Sequence, residues 1–208
     1  MTKSRFITLE GGEGVGKSTQ ARALAAALRA RGREAVETRE PGGSPGAEAI
    51  RALLLQGTAE RWTPRAEALL FAAARADHVA RTIRPALDAG RWVICDRFLD
   101  SSIAYQGGAD GLGDDAIRAL HAVGSDGLLP DRTLLLALPE AEAMAREAAR
   151  DAGSPDRFGA RNPDYHRQVT ASFRRLAEQD PARWRMVDAS GAAEEVTGRL
   201  VAAVEEWL

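Results

Sequence analysis

Lysine is nearly absent from this chain: Lys3 and Lys17 are the only two among 28 basic residues. A general bias toward arginine accounts for most of the others, but it isolates Lys17 as the one internal ammonium. That position carries information, because a compact ammonium binds differently from a planar guanidinium fork. Cysteine occurs once, at Cys95, which excludes an internal disulfide and points to a reducing compartment. Cys95 follows the apolar run Trp92-Val93-Ile94, the setting of a buried inert thiol rather than a nucleophile. No apolar stretch approaches the roughly 20 residues that span a bilayer, and the amino-terminal residues show no signal-type segment. The expectation is a cytoplasmic protein with no membrane partner. Charge of one sign is lacking as well, since a formal net charge of -2 leaves no broad basic surface for nucleic acid. His78, His121 and His166 have no metal-ligand spacing and read as structural or surface residues.

What is present is an alternation of short β-type runs with longer stretches of helical periodicity, the pattern of a parallel sheet covered on both faces. Five strands are predicted, at 6–10, 34–38, 92–96, 133–138 and 185–187. Helical periodicity covers 17–31, 45–55, 64–89, 114–124, 140–150, 162–179 and 192–207. With 208 residues, one domain spanning 1–208 is expected, with a lid segment at about 146–164. Two segments break the alternation. Gln106 to Gly113 is too rich in glycine to hold one conformation without a partner. Arg150 to Asp164 intersperses Gly153, Ser154, Pro155, Gly159 and Pro163 with Arg150, Arg157 and Arg161, and reads as a mobile basic flap.

The strongest motif is Gly11-Gly12-Glu13-Gly14-Val15-Gly16-Lys17-Ser18-Thr19, a complete G-x-x-x-x-G-K-[ST] phosphate loop. It lies where such a loop must, between a strand ending at Glu10 and a helix containing Ala21, Leu24 and Leu28. Its backbone N–H groups and helix start suit a triphosphate, with Lys17 on the β- and γ-phosphates and Ser18 as a magnesium ligand. Glu13 is out of place beside phosphates unless it meets a sugar hydroxyl, a magnesium-bound water or open solvent. A GTPase is disfavoured: there is no N-K-x-D run, and Asp96-Arg97 replaces D-x-x-G. The Asp96 carboxylate suits magnesium through water, and Arg97 suits a phosphate.

The loop together with Thr38-Arg39-Glu40-Pro41-Gly42-Gly43, Phe71-Ala72-Ala73-Ala74-Arg75, Asp96-Arg97-Phe98 and Ser101-Ser102-Ile103-Ala104-Tyr105-Gln106-Gly107 resembles thymidylate kinase over nearly the whole chain. The resemblance is to the bacterial type of this P-loop nucleoside monophosphate kinase. It implies the P-loop NTPase fold with a mobile lid, a homodimer, and transfer of the γ-phosphoryl group of ATP to dTMP with magnesium. Phe71 and Arg75 stand four apart on one helical face; spacing alone leaves core packing and a surface charge open, whereas the resemblance puts Phe71 on thymine and Arg75 on its O4. Arg39 and Arg97 can clamp the acceptor phosphate. Ser102 and Gln106 suit the base edge and Tyr105 the sugar, with ordinary loop polarity as the alternative. The resemblance also implies a cis Glu40-Pro41 bond and lid arginines closing over ATP, for which Arg146, Arg150, Arg157 and Arg161 are available, solvated surface arginines being the alternative. Asp156-Arg157-Phe158 matches the family's D-R-x-E except that Gly159 replaces the glutamate. The rivals are a kinase for another deoxynucleotide or nucleoside acceptor, and a non-enzymatic ATP-dependent switch.

Overall fold

The protein is described from a computed structural model covering residues 3–58, 60–151 and 157–208, with 147–151 described by their backbone alone. Five strands form one sheet: β1 (Phe6–Glu10), β2 (Ala35–Arg39), β3 (Trp92–Asp96), β4 (Arg132–Ala137) and β5 (Trp184–Asp188). All pairings are parallel, in the order β2-β3-β1-β4-β5. β1 and β3 have the expected bounds, and the other three differ by one residue at each end. The helices are α1 (Lys17–Ala30), α2 (Pro45–Leu55), α3 (Pro64–His78), α4 (Arg84–Asp88), α5 (Leu99–Ser102), α6 (Asp114–Ser125), α7 (Glu140–Asp151), α8 (Pro163–Gln179) and α9 (Ala193–Ala202).

Side chains alternate across a strand, so each strand feeds two cores. Phe6, Val93, Cys95 and Leu135 meet Ile83, Phe98, Ile103 and Phe173 on one face. Ile7, Leu9, Ile94, Leu134 and Leu136 meet Leu24 and Leu28 of α1 and Val196 and Leu200 of α9 on the other. Three helices start at the same local signal, a polar cap followed by proline. Ser44 before Pro45, Thr63 before Pro64 and Asn162 before Pro163 each accept a backbone N–H of the first turn. The cap satisfies a donor that the helix cannot, and proline has no N–H to leave unpaired.

Three segments differ from the sequence reading. The helical stretch 64–89 loosens into a wide π-helical turn at Val79–Ile83 before α4. Pro85 cannot donate into the helical ladder, which explains why the spacing widens there. The stretch 192–207 ends as α9 at Ala202, followed by a 3-10 turn at Glu205–Trp207. Gln106 to Ala109, expected to lack a fixed shape without a partner, continues from α5 as a second wide helical turn, Ile103–Ala109. Its partner is α8: a Cβ on Gly108 would collide with the Ser172 hydroxyl, so glycine serves close helix approach rather than flexibility.

The fold places the phosphate loop at the carboxyl end of β1, between the ends of β3 and β4, the region where open α/β sheets bind ligands. Gly11 opens the loop at φ 141°, and a Cβ there would lie 2.7 Å from the Leu136 carbonyl oxygen. That obstacle is backbone and cannot swing away. Gly11→Ala should therefore lower the stability of the nucleotide-free protein by about 1–3 kcal/mol. Thermal melting without ligand checks this, and an unchanged melting temperature would contradict the close approach.

Candidate active site

Lys17 opens α1 with its side chain buried, and its ammonium donates to the Gly12 carbonyl oxygen. Burial first, and then repulsion from Arg97, push its pKa down to about 8, while Glu13, Asp96 and Glu10 act the other way. The ammonium is thus desolvated in advance, so that phosphate oxygens replace few water contacts. One residue on, the Ser18 hydroxyl donates to Asp96 Oδ2 at 2.5 Å, while Asp96 Oδ1 is buried with no partner among the described residues. A hydroxyl, a carboxylate and an orphaned oxygen suit a hard divalent cation. Among the described residues there is no cluster of three or more acidic, His or Cys side chains for a metal. One hydroxyl and one carboxylate are a donor set of the kind that fits magnesium, which keeps waters and takes much of its coordination from substrate phosphates.

Arg97 follows β3 in a left-handed backbone conformation, φ 68°, rare for a side chain of this kind. The strain aims its guanidinium at the loop, where it donates to the Gly11 carbonyl at 3.1 Å and to Glu13 Oε1 at 2.6 Å. It also lies over the Tyr105 ring, 5.2 Å from the centroid, and the Tyr105 hydroxyl donates to the same Glu13 oxygen at 3.0 Å. Glu13, anomalous in the sequence, has cationic and hydroxyl donors to face.

The third group is carried by α3. Arg75 is buried; its Nε donates to Glu40 Oε2 at 2.8 Å and its Nη2 to the Ser102 hydroxyl at 2.7 Å. Nη1 alone has no protein partner among the described residues. Glu40 Oε1 pairs with His78 Nδ1 at 2.9 Å, and His78 Nε2 meets the Thr38 hydroxyl at 2.7 Å. Burial acts to raise the Glu40 pKa, but Arg75 and His78 outweigh it and hold the carboxyl below its ordinary value. The Glu40-Pro41 bond is cis. One turn from Arg75, half-buried Phe71 meets the Phe158 ring edge-on at 5.7 Å. Gln106 donates to Glu67 Oε1 at 2.9 Å, and exposed Arg39 pairs with Glu48 at 2.9 Å.

These groups converge. Glu13, Gly14, Gly16, Lys17, Ser18, Thr19, Arg39, Phe71, Arg75, Asp96, Arg97, Ser102, Tyr105, Gln106 and Arg146 all border one cavity of about 470 Å³. Gly11, Gly12 and Val15 border a second cavity, of about 800 Å³, on the other side of the loop. Arg146 also donates to Glu142 and to the Ala189 carbonyl. Arg157, expected as a lid cation over the donor phosphates, is buried, donating to Glu67 and to the Leu54 carbonyl. A guanidinium out of water needs a carboxylate, and Glu67 on α3 supplies it. Arg161 reaches Asp110 at 3.1 Å. The side chain of Arg150 and the whole of Gly153, Ser154, Pro155 and Asp156 lie outside the described residues.

The sequence reading missed Arg51, Ser101 and the buried acids Glu10, Glu40 and Glu67 as parts of the site. Arg51 borders the cavity and donates to the Pro41 carbonyl at 2.6 Å. A carboxylate at an apolar position, such as Glu10 closing Phe6-Ile7-Thr8-Leu9, was the available signal.

A complete phosphate loop sharing a cavity with Arg97 and the Phe71–Arg75 pair, on a five-stranded parallel sheet, defines a P-loop kinase with a nucleotide acceptor. The thymidylate kinase family model matches residues 9–200. The chain belongs to the thymidylate kinase family, in its bacterial type: it is a dTMP kinase, transferring the γ-phosphoryl group of ATP to dTMP to give dTDP and ADP. It is 70% identical over 204 residues to the thymidylate kinase of Rhizorhabdus wittichii, covering 98% of each chain. It is 47% identical to that of a Bradyrhizobium species, covering 99% of this chain and 92% of the other. The crystal structure of thymidylate kinase from Ehrlichia chaffeensis superposes with a TM-score of 0.78 at 29% identity, covering 97% of this chain and 99% of that one. Among the described residues, no helix is long and apolar enough to cross a membrane.

Two substitutions separate chemistry from architecture. Lys17→Ala should cost at least about 3 kcal/mol of transition-state stabilisation, roughly a hundredfold or more in turnover, with little change in melting temperature. Arg157→Ala should do the reverse, lowering stability by about 3 kcal/mol because Glu67 loses a buried partner. Steady-state ADP release and thermal melting on both variants check the pair; a hundredfold kinetic loss with unchanged melting in Arg157→Ala would restore it to the donor site.

Proposed function

We propose that the cavity bordered by Lys17 and Arg97 holds dTMP in line with the γ-phosphate of ATP, and that the chain acts as one domain, 1–208, whose lid at about 146–164 closes on the donor. The observation that carries this reading is the convergence of Lys17, the Ser18–Asp96 pair, Arg97 and the Phe71–Arg75 pair on a single cavity. The loop from Gly11 to Thr19 cradles the donor phosphates, and Lys17 follows the β- and γ-phosphates. Arg97 and Arg39 clamp the acceptor phosphate and offset the repulsion between two anionic substrates. Phe71 stacks on thymine, and Arg75, held on Nε and Nη2, keeps Nη1 for O4. Ser102 and Gln106 line the base edge, and Glu13 and Tyr105 the sugar. No strong base is required, because the acceptor is already an anionic phosphate at neutral pH; positioning and charge neutralisation set the rate.

Ser18 and Asp96 are the residues that would hold magnesium, which when bound neutralises charge on the donor phosphates. Of the lid arginines, Arg146 has the best-supported role, since it borders the cavity; Arg150 is the other candidate for the donor side, and Arg157 serves the architecture through its pair with Glu67. The working state is a homodimer in the cytoplasm: Leu69 on α3 and Val123 on α6 are exposed apolar side chains on helices that pack together. Sedimentation at twice the chain mass supports the dimer, and a monomer at micromolar concentration contradicts it. ADP release on adding dTMP, lost with a chelator and restored by magnesium, tests the metal.

Tyr105 makes the sugar reading testable. Its ring, packed beside Phe158 and Tyr165, excludes an added 2′-hydroxyl by bulk, and its own hydroxyl serves Glu13. Tyr105→Ala should narrow the kcat/KM gap between dTMP and its ribose counterpart, whereas Tyr105→Phe should keep most of it. An unchanged ratio in the alanine variant would make Tyr105 a packing residue only.

A further inference from the structure

Glu10 is wholly buried at the last position of β1, next to the phosphate loop. Both of its carboxylate oxygens are occupied. Oε1 accepts the Phe98 N–H at 2.8 Å, and Oε2 accepts the Ser101 hydroxyl at 2.6 Å. Ser101 in turn accepts from Arg97 Nη1 at 3.1 Å. The order of donors is directional: Arg97 gives a hydrogen to Ser101, so Ser101 must give its own to Glu10. Phe98 is the residue just after the left-handed Arg97, and its N–H is the first that the reversed backbone presents. Glu10 thus binds the arginine clamp twice, once through the main chain and once through a hydroxyl relay.

An acid here is costly. Burial first, and then the nearby Asp100 carboxylate, push the Glu10 pKa upward, while Ser101, Arg97 and Phe98 act the other way and favour the carboxylate. Asp100 offers no relief by sharing a proton, because it is itself engaged by Arg183 at 2.6 and 3.0 Å and by Thr133 at 3.1 Å. An apolar side chain would pack the position without that cost, so core filling does not explain a carboxylate.

We propose that Glu10 is a positioning residue for phosphoryl transfer, its carboxylate fixing the Ser101 hydroxyl and the Phe98 N–H so that the Arg97 guanidinium is held in one place against the acceptor phosphate. The inference rests on the reading of Arg97 as that clamp. Glutamine at position 10 has the same shape but one acceptor and one donor, and it cannot accept from both Phe98 and Ser101. Arg97 remains present and charged in such a variant, so attraction for dTMP persists while its alignment at the transition state is lost.

The test uses Glu10→Gln, Ser101→Ala and the double variant, with Arg97→Ala as reference, varying each substrate at saturation of the other. Glu10→Gln should lower kcat about tenfold or more while KM for dTMP and for ATP stays within about threefold. The double variant should lose no more than the worse single one, because both changes cut the same relay. A kcat within about twofold of wild type in Glu10→Gln, multiplicative losses in the double variant, or both KM values rising together would each overturn the proposal. Should Glu10→Gln fail to fold, Ser101 decides: loss in Ser101→Ala with recovery in Ser101→Thr supports the relay, and wild-type turnover in Ser101→Ala refutes it. Arg97→Ala separates the layers. If it leaves kcat nearly intact the clamp reading itself fails, whereas a large loss there beside an intact Glu10→Gln sinks this inference alone.

Discussion

A guanidinium taken out of water must face a fixed carboxylate, and the nucleotide cavity is arranged around that requirement. Glu13 faces Arg97, Glu40 faces Arg75 and Glu67 faces Arg157. Each acid comes from a different part of the chain: the phosphate loop, the turn after β2, and α3. Removing one partner from such a pair leaves the other charge buried and unpaired, at a cost of about 3–5 kcal/mol, whereas the intact pair adds little net stability. The pairs are therefore better understood as fixing where the arginines point. For phosphoryl transfer, which needs little covalent help and accurately placed charge, that is the more valuable property.

The same requirement accounts for the His78 contacts. Glu40 has two oxygens, and Arg75 takes only one through Nε; the ring of His78 takes the other and passes to Thr38 at the end of β2. Arg75 is thus tied to the sheet through two side chains. Arg97 is tied more tightly still, by a strained backbone and by contacts to the loop. In both cases the guanidinium borders the cavity in a fixed orientation because its other donors are already spoken for.

Much of this was legible from the residues, and what was not has a common cause. The phosphate loop, the sheet and the helix starts at Ser44, Thr63 and Asn162 are local patterns, so a few neighbouring residues suffice to identify them. Phe71, Arg75, Ser102, Tyr105 and Gln106 were found through family resemblance, and the fold gathers them. Glu40 and Glu67 were invisible as site residues, because an acid in a sequence looks solvated until the guanidinium that buries it is brought from as far as 90 residues away. The burial of Arg157 was illegible for the converse reason: its neighbours in sequence are polar and glycine-rich, while Glu67 is on α3. The glycines at 107 and 108 were taken for looseness, since nothing local announces that α8 will press against them.

The phosphate loop's helix and the helices that carry the opposite wall of the cavity belong to opposite layers of the sheet. Lys17 and Ser18 start α1, which packs with α9 on one face, while Phe71, Arg75, Ser102 and Gln106 ride on helices packed against the other. The two sets meet only at the carboxyl edge of β1 and β3. Substitutions that reshape the acceptor pocket consequently leave the packing under the phosphate loop untouched. A scaffold divided in this way can change which nucleotide it phosphorylates by drift within one layer, while the machinery that handles ATP is inherited intact.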